Sequence, residues 1–247
     1  MDWSSWRRHF ESNARRPLPS FDEVPDLPDA LRRELLRSLS IFQRGETGEG
    51  RIAHQIDRAE LPGIDDDYRA ALKLFVAEEG RHARVLGDMV RALGGRTAER
   101  PVWTERLFER SRRLVGVRHK LVVLLSAEVI AVGFYGMIAE RLEPGSFRAA
   151  LLEIVGDERR HFEFHAAFFR AQRQAGFPFR PLWWSVATAA ASVVLFDHRR
   201  TLAALGVARS YAARRLWALI VDADLRSAPE LKAPGVAAAA ALPAARW

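Results

Sequence analysis

The sequence predicts an all-α protein built around an internally duplicated helical bundle. Three observations carry this. No stretch of useful length alternates apolar and polar residues with the period of a strand. Apolar residues recur at helical spacing between Pro and Gly stop signals, as at Pro62-Gly63, Gly94-Gly95 and Pro144-Gly145. The third is a gapless repeat: residues 68–94 align with residues 147–173 at an offset of 79. Ten of those 27 positions are identical, among them Glu79/Glu158, Arg81/Arg160 and His82/His161.

The elements follow in order. Residues 1–28 hold Trp3, Trp6 and Phe10 and then Pro17, Pro19, Pro25 and Pro28, which predicts a short helix and an extended arm packed on the bundle. Asp26 or Asp29 can cap a long first bundle helix running to about residue 60. Gly45, Gly48 and Gly50 weaken its middle by about 1 kcal/mol each relative to Ala and predict a bulge or a close helix approach. Asp65-Asp66-Asp67 offers N-caps for the second helix, which stops at Gly94-Gly95. A crossover helix over 104–115 is expected next, then a third bundle helix over 117–142. Ser146 is expected to cap the fourth, over 147–175, with two more helices over 182–205 and 210–226. The organisation reads as an arm (1–28), a bundle (29–176), C-terminal helices packed on it (177–228) and a low-complexity Ala/Pro tail expected to be disordered (229–247).

Composition removes several functions. The chain of 247 residues is 49% hydrophobic, enough for one large domain or one with appendages. It has no cysteine, so disulfides, zinc ribbons and thiol nucleophiles are excluded, and a metal must be held by oxygen and imidazole nitrogen. The net charge of +7 suits an acidic partner, but the arginines are spread along the helices and do not interleave with aromatics, which argues against a nucleic-acid groove. The N-terminal MDWSSWRRHF lacks an apolar signal region, so a cytoplasmic location is expected. Residues 121–139 carry a single charge, Glu128, over a length that could just span a bilayer. A mid-membrane carboxylate costs a few kcal/mol, and a third bundle helix would be apolar all round because it is buried. The run 182–196 is short for a span, so the sequence reads against membrane insertion. No phosphate loop, dinucleotide fingerprint or nucleophile elbow occurs; Gly45, Gly48 and Gly50 have no strand before them.

The repeat also returns chemistry. Glu79 and His82 form a Glu-x-x-His unit, and Glu158 and His161 form its copy. Residues three apart share a helix face, so each pair can reach one point. The same offset maps Glu49 onto Glu128, one acid from each remaining bundle helix. Together these are four carboxylates and two imidazoles, with the negative charge to balance two divalent cations and a donor set suited to iron or manganese. Glu46, one turn before Glu49, is the alternative on the first helix. His165 follows His161 by one turn and is either a further ligand or a core histidine. Tyr135 lies two turns past Glu128 and either approaches the metals or simply packs.

One Glu from each of two helices and Glu-x-x-His from the other two resembles the ferritin-like di-iron carboxylate superfamily over residues 30–175. The resemblance implies an up-down four-helix bundle holding two iron ions, or manganese and iron. The implied metal ligands are Glu49, Glu79, His82, Glu128, Glu158 and His161, with Glu79 and Glu158 bridging and Glu49 and Glu128 terminal. It implies that Asp157 orients His82 and Glu78 orients His161; the alternative for both acids is salt bridging to nearby arginines. The implied activity is dioxygen-dependent oxidation or hydroxylation of a small organic substrate, with an electron-donor protein as partner, by a monomer or homodimer. Two other functions compete: ferroxidase and iron handling in a cage, and a non-enzymatic basic interaction module.

Overall fold

The computed structural model describes residues 2–47, 50–97 and 116–229. Among the described residues every regular element is an α-helix: α1 (Trp3–Asn13), α2 (Asp29–Glu46), α3 (Gly50–Ile56), α4 (Asp66–Ala92), α5 (Val117–Ala139), α6 (Ser146–Gln174), α7 (Phe179–Asp197), α8 (Arg199–Ala204) and α9 (Arg209–Arg226). The crossover helix expected over 104–115, the tail from residue 230 and Glu49 lie outside the described residues.

Asp2 starts α1 by accepting a hydrogen bond from the Ser5 amide at 3.1 Å. Trp3 and Phe10 are buried, and Trp3 Nε1 donates to the Gly63 carbonyl at 2.7 Å, so α1 is fastened along α4. Neither Asp26 nor Asp29 caps α2. Pro28 holds the cap position in an extended conformation without a side-chain hydrogen bond, and Asp29 sits in the first turn, where its charge still favours the helix N-terminus. The first bundle helix also does not run unbroken to residue 60. α2 stops at Glu46, where the Thr47 hydroxyl donates to the Arg44 carbonyl at 2.7 Å, and α3 begins at Gly50. The glycine-rich stretch thus ends a helix instead of bulging it, because three residues of poor helix propensity fall within six positions.

Asp65 caps α4 as expected, accepting from the Tyr68 amide at 2.9 Å, and Gly94 follows the helix at φ +83°, a conformation that favours glycine. Ser146 does not cap α6. Gly145 occupies that position, and the Ser146 hydroxyl instead donates to the Glu23 carbonyl at 3.3 Å, tethering the N-terminal arm.

Two apolar clusters set the direction of the helices. One contains Phe10, Leu72, Phe75, Leu125, Phe164 and Phe168; the other contains Leu35, Leu86, Met89, Phe134, Tyr135 and Ile154. α4 and α5 both run from the first cluster to the second, whereas α6 runs from the second to the first. α2 likewise contributes Leu35 and Leu39 to the second cluster, and Ile52 and Ile56 of α3 then lie in the first. Strict up-down alternation is therefore not observed, since α4 and α5 point the same way. The pairs α2/α4 and α5/α6 are each antiparallel and pack side by side, and exchanging the pairs reverses every direction. That is an approximate two-fold axis across the bundle, the three-dimensional form of the repeat. In α4 and α6 the Glu-x-x-His residues fall between the two apolar stretches, and Glu128 of α5 lies close to the same junction.

The expected helix over 182–205 divides at His198 into α7 and α8. α7 starts earlier than expected because Pro181 is tolerated in a first helical turn. α5 and α7 are both long and apolar enough to cross a membrane. The two differ in surroundings: 94% of the apolar window of α5 is buried within the protein, against 28% for α7. α9 lies across α5 where two glycines permit close approach. A Cβ on Gly133 would come within 2.5 Å of Leu216 Cδ2, and one on Gly136 within 2.5 Å of Arg215 Nη2. Leu216 is buried and held, whereas the partly exposed Arg215 can swing away. Gly133→Ala is expected to destabilise the protein by about 1–3 kcal/mol through overpacking. Gly136→Ala should be neutral or stabilise by up to about 1 kcal/mol through helix propensity. Urea unfolding followed by circular dichroism separates the two; equal effects would show that Gly133 is not what seats α9.

Candidate metal centre

Glu79 and His82 project from one face of α4, and Glu158 and His161 from one face of α6. All four are buried, and one donor atom from each lies within 4.8 Å of the others. The inward atoms crowd a common point. His161 Nδ1 is 2.7 Å from Glu79 Oε1, 3.3 Å from Glu158 Oε2 and 3.6 Å from Glu128 Oε2 of α5. His82 Nδ1 is 3.2 Å from Glu158 Oε1 and 3.8 Å from Glu79 Oε1. Such a group could hold a metal ion.

The outward nitrogens are held from behind. His82 Nε2 lies 3.2 Å from Asp157 Oδ2, and His161 Nε2 lies 2.9 Å from Glu78 Oε2. Each acid thus reaches the histidine of the opposite half, and the two contacts are exchanged by the two-fold axis. These bonds place the second ring nitrogen of each histidine toward the centre, the tautomer a ligand requires. Salt bridging is present as well. Arg16 Nη2 donates to Glu78 Oε1 at 2.7 Å and to Asp157 Oδ2 at 2.6 Å, joining both halves. Behind it, Arg81 Nη2 pairs with Glu153 at 2.6 Å and donates to the Pro17 carbonyl at 2.7 Å. Arg16 was not foreseen. It sits outside the repeat in a proline-rich arm beside Arg15, with no periodicity to mark it.

From α2, Glu46 reaches the cluster. Its Oε1 accepts from the Tyr135 hydroxyl at 2.7 Å, and its carboxyl adjoins those of Glu79 and Glu158. Glu49, the residue aligned with Glu128 by the offset of 79, lies outside the described residues. Tyr135 therefore packs with its hydroxyl bonded to an acid of the cluster. His165 is fully buried between Phe75 and Phe164, with its Nε2 4.0 Å from Glu128 Oε1 and no hydrogen bond on either ring nitrogen.

Burial and crowding dictate where the protons sit. Burial raises Glu46 and Glu128 well above the ordinary carboxylate range, and the charges of Glu79 and Glu158 push the same way. Burial also opposes ionisation of Glu158, yet hydrogen bonds from Glu128, His161 and His82 hold it well below that range. For His82 burial favours the neutral ring, but bonds to Asp157 and Glu158 prevail and raise its pKa to about 9. His161 is raised well above its ordinary value by Glu79, Glu128 and Glu158 against the same burial. Burial, reinforced by the charge of His161, lowers His165 to about 3 and keeps it neutral.

The donor set fits divalent cations on an observation beyond residue type. Glu79 Oε1, His82 Nδ1 and Glu158 Oε1 are buried and aimed inward, and among the described residues their inward partners are one another and His161 Nδ1, the other candidate donor atom. A cation shared by these donors would relieve the crowding of the acids that the two rings alone now offset. No protein-family model, characterised protein or solved structure matches this chain.

A group whose folded pKa is raised stabilises the fold below its unfolded value and loses that contribution as pH rises. For His82 the window runs from 6.5 to about 9. The thermal midpoint of the metal-free protein should therefore fall across that interval, and less steeply in His82→Gln. A midpoint independent of pH there would show that the imidazolium does not hold the carboxylates together.

Proposed function

We propose that the chain is a ferritin-like di-metal carboxylate protein, with two iron ions or manganese and iron, that uses dioxygen to oxidise or hydroxylate an organic substrate. The observation that carries it is the buried set of Glu79, His82, Glu158 and His161, whose donor atoms face one another within 4.8 Å. Support also comes from the helix directions. Two antiparallel pairs with α4 and α5 running the same way are the ferritin-like arrangement.

In this reading Glu79, His82, Glu158 and His161 would hold the metals, the imidazoles presenting Nδ1, and Glu128 and Glu46 or Glu49 would complete the set. His165 stands beside Glu128 as a further donor. The metals would supply the electrons and open coordination positions that reduce dioxygen. Transfer of one oxygen atom into a C–H bond takes two electrons from the substrate and two from an electron donor. Two protons complete the balance, and the second oxygen atom leaves as water.

The protein's own work is placement and proton control. Asp157 and Glu78 fix both imidazoles, and Arg16 fixes both acids, so the donors are held before a cation arrives. The Tyr135 hydroxyl aims the Glu46 carboxyl. Cation uptake replaces the protons of His82, His161, Glu46 and Glu128, so it should release protons at neutral pH.

Elemental analysis of protein expressed with iron and manganese should find about two metal ions per chain, lost in Glu158→Ala. No more than trace metal in the unaltered protein would end the reading. Arg16→Ala should keep the helical content but weaken metal affinity by about 10–100-fold, measured by chelator competition. Unchanged affinity would reduce Arg16 to a tether for the arm.

A further inference from the structure

We propose that a cavity on the carboxylate side of the centre binds an uncharged hydrocarbon group, an aromatic ring or a short aliphatic segment, of the molecule that is oxidised. The inference rests on the di-metal reading above. The cavity has a volume of about 160 Å³. Glu46, Glu79, Glu128 and Glu158 line it, while neither His82 nor His161 does. The histidine side is closed instead, with Phe10 and Phe75 packed against the His161 ring at 5.7 and 4.7 Å. Among the described residues Glu79, Glu128 and Glu158 face open space in this cavity, whereas of the central acids only Glu46 also borders a second cavity, between α2 and α4.

The walls decide the chemistry of the occupant. Away from the carboxylates they are chiefly Ile41, Phe42, Leu124, Ile130, Val193 and Val194. Water in a cavity needs about 2–4 polar partners, which the carboxylate end offers and these apolar walls do not; apolar space of about this size accepts benzene. Among the described residues no Lys or Arg lines the cavity, so a carboxylate or phosphate would face four acids without a counter-charge from its walls. Asp197 is paired with Arg37 at 2.7 Å. His198 is kept neutral, its pKa lowered to about 4 by burial.

The wall is also stiff. Phe42 stacks on His198 with centroids 4.9 Å apart, His198 Nδ1 lies 2.7 Å from the Ser38 hydroxyl, and Ser38 lies 2.7 Å from the Thr201 hydroxyl. This network locks α7 and α8 to α2, and explains what a helix outside the duplicated core contributes: Val193 and Val194 of α7 complete the pocket. Gly45 and Ala127 are exposed at its rim, so the rest of a longer molecule would leave there.

Toluene and benzoate are the probes, titrated calorimetrically into the metal-loaded and metal-free full-length protein. Toluene should bind saturably to both forms, with benzoate weaker by about tenfold or more. Ala131→Phe, which fills the interior, and Ala127→Trp, which covers the rim, should each weaken toluene by about tenfold or more without changing metal content. Toluene that fails to saturate, benzoate that binds as well, or toluene affinity untouched by either folded variant would overturn the cavity assignment and leave the metal reading standing. Saturable toluene binding to a protein that takes up no metal would do the reverse. Should one variant fail to fold, the other and the two-probe comparison still decide.

Discussion

Several ionisable acids cannot share a few ångströms of protein interior unless positive charge lies among them. In this chain Glu46, Glu79, Glu128 and Glu158 meet between two apolar clusters, where burial alone would force protons onto most of them. His82 and His161 stand within this group, and the structure holds them charged against their own burial. The surrounding architecture follows from keeping that arrangement in place. Asp157 and Glu78 support the rings, Arg16 ties the acids together, and the N-terminal arm is anchored at Trp3, Phe10 and Ser146.

The two-fold axis explains why the network is so economical in residue types. One Asp/Glu-Glu-x-x-His segment, used twice in opposite directions, supplies a central acid, an inward ring and the outer acid for the other copy's ring. The departures from symmetry are informative in turn. Leu86 matches His165, so the orphaned imidazole exists on one side only. α7 and α9 pack on α5, and the cavity lies on that flank. A duplicated core has thus been made lopsided around a nearly symmetric cluster of acids and histidines.

The membrane question turns on the same distinction between core and flank. α5 is apolar because it is enclosed, and its one acid is part of the central cluster. α7 passes the same test of length and composition but turns one side inward to the cavity and the other outward, with Phe196 exposed. In sequence the apolar run is short because it starts after Pro181, whereas the helix begins at Phe179.

Helical class, most helix ends and the Glu-x-x-His pairs were legible in the chain because they depend on local rules: period, stop residues and a spacing of three. The resemblance to the di-iron carboxylate superfamily carried the expectation further, to which acid would sit behind which ring, and the repeat supplied the equivalent acid in the other half. On the first bundle helix the offset pointed to Glu49, which lies outside the described residues, while Glu46, the alternative one turn earlier, reaches the cluster from the last residue of α2. Neither repeat nor resemblance revealed Arg16, the parallel run of α4 and α5, or the cavity behind α7. Those depend on contacts between segments far apart in the chain, such as Arg16 with Asp157 and Ser38 with His198. Local pattern names the groups that can meet; only the packing of separate helices decides which of them do, and from which side the space between them is open.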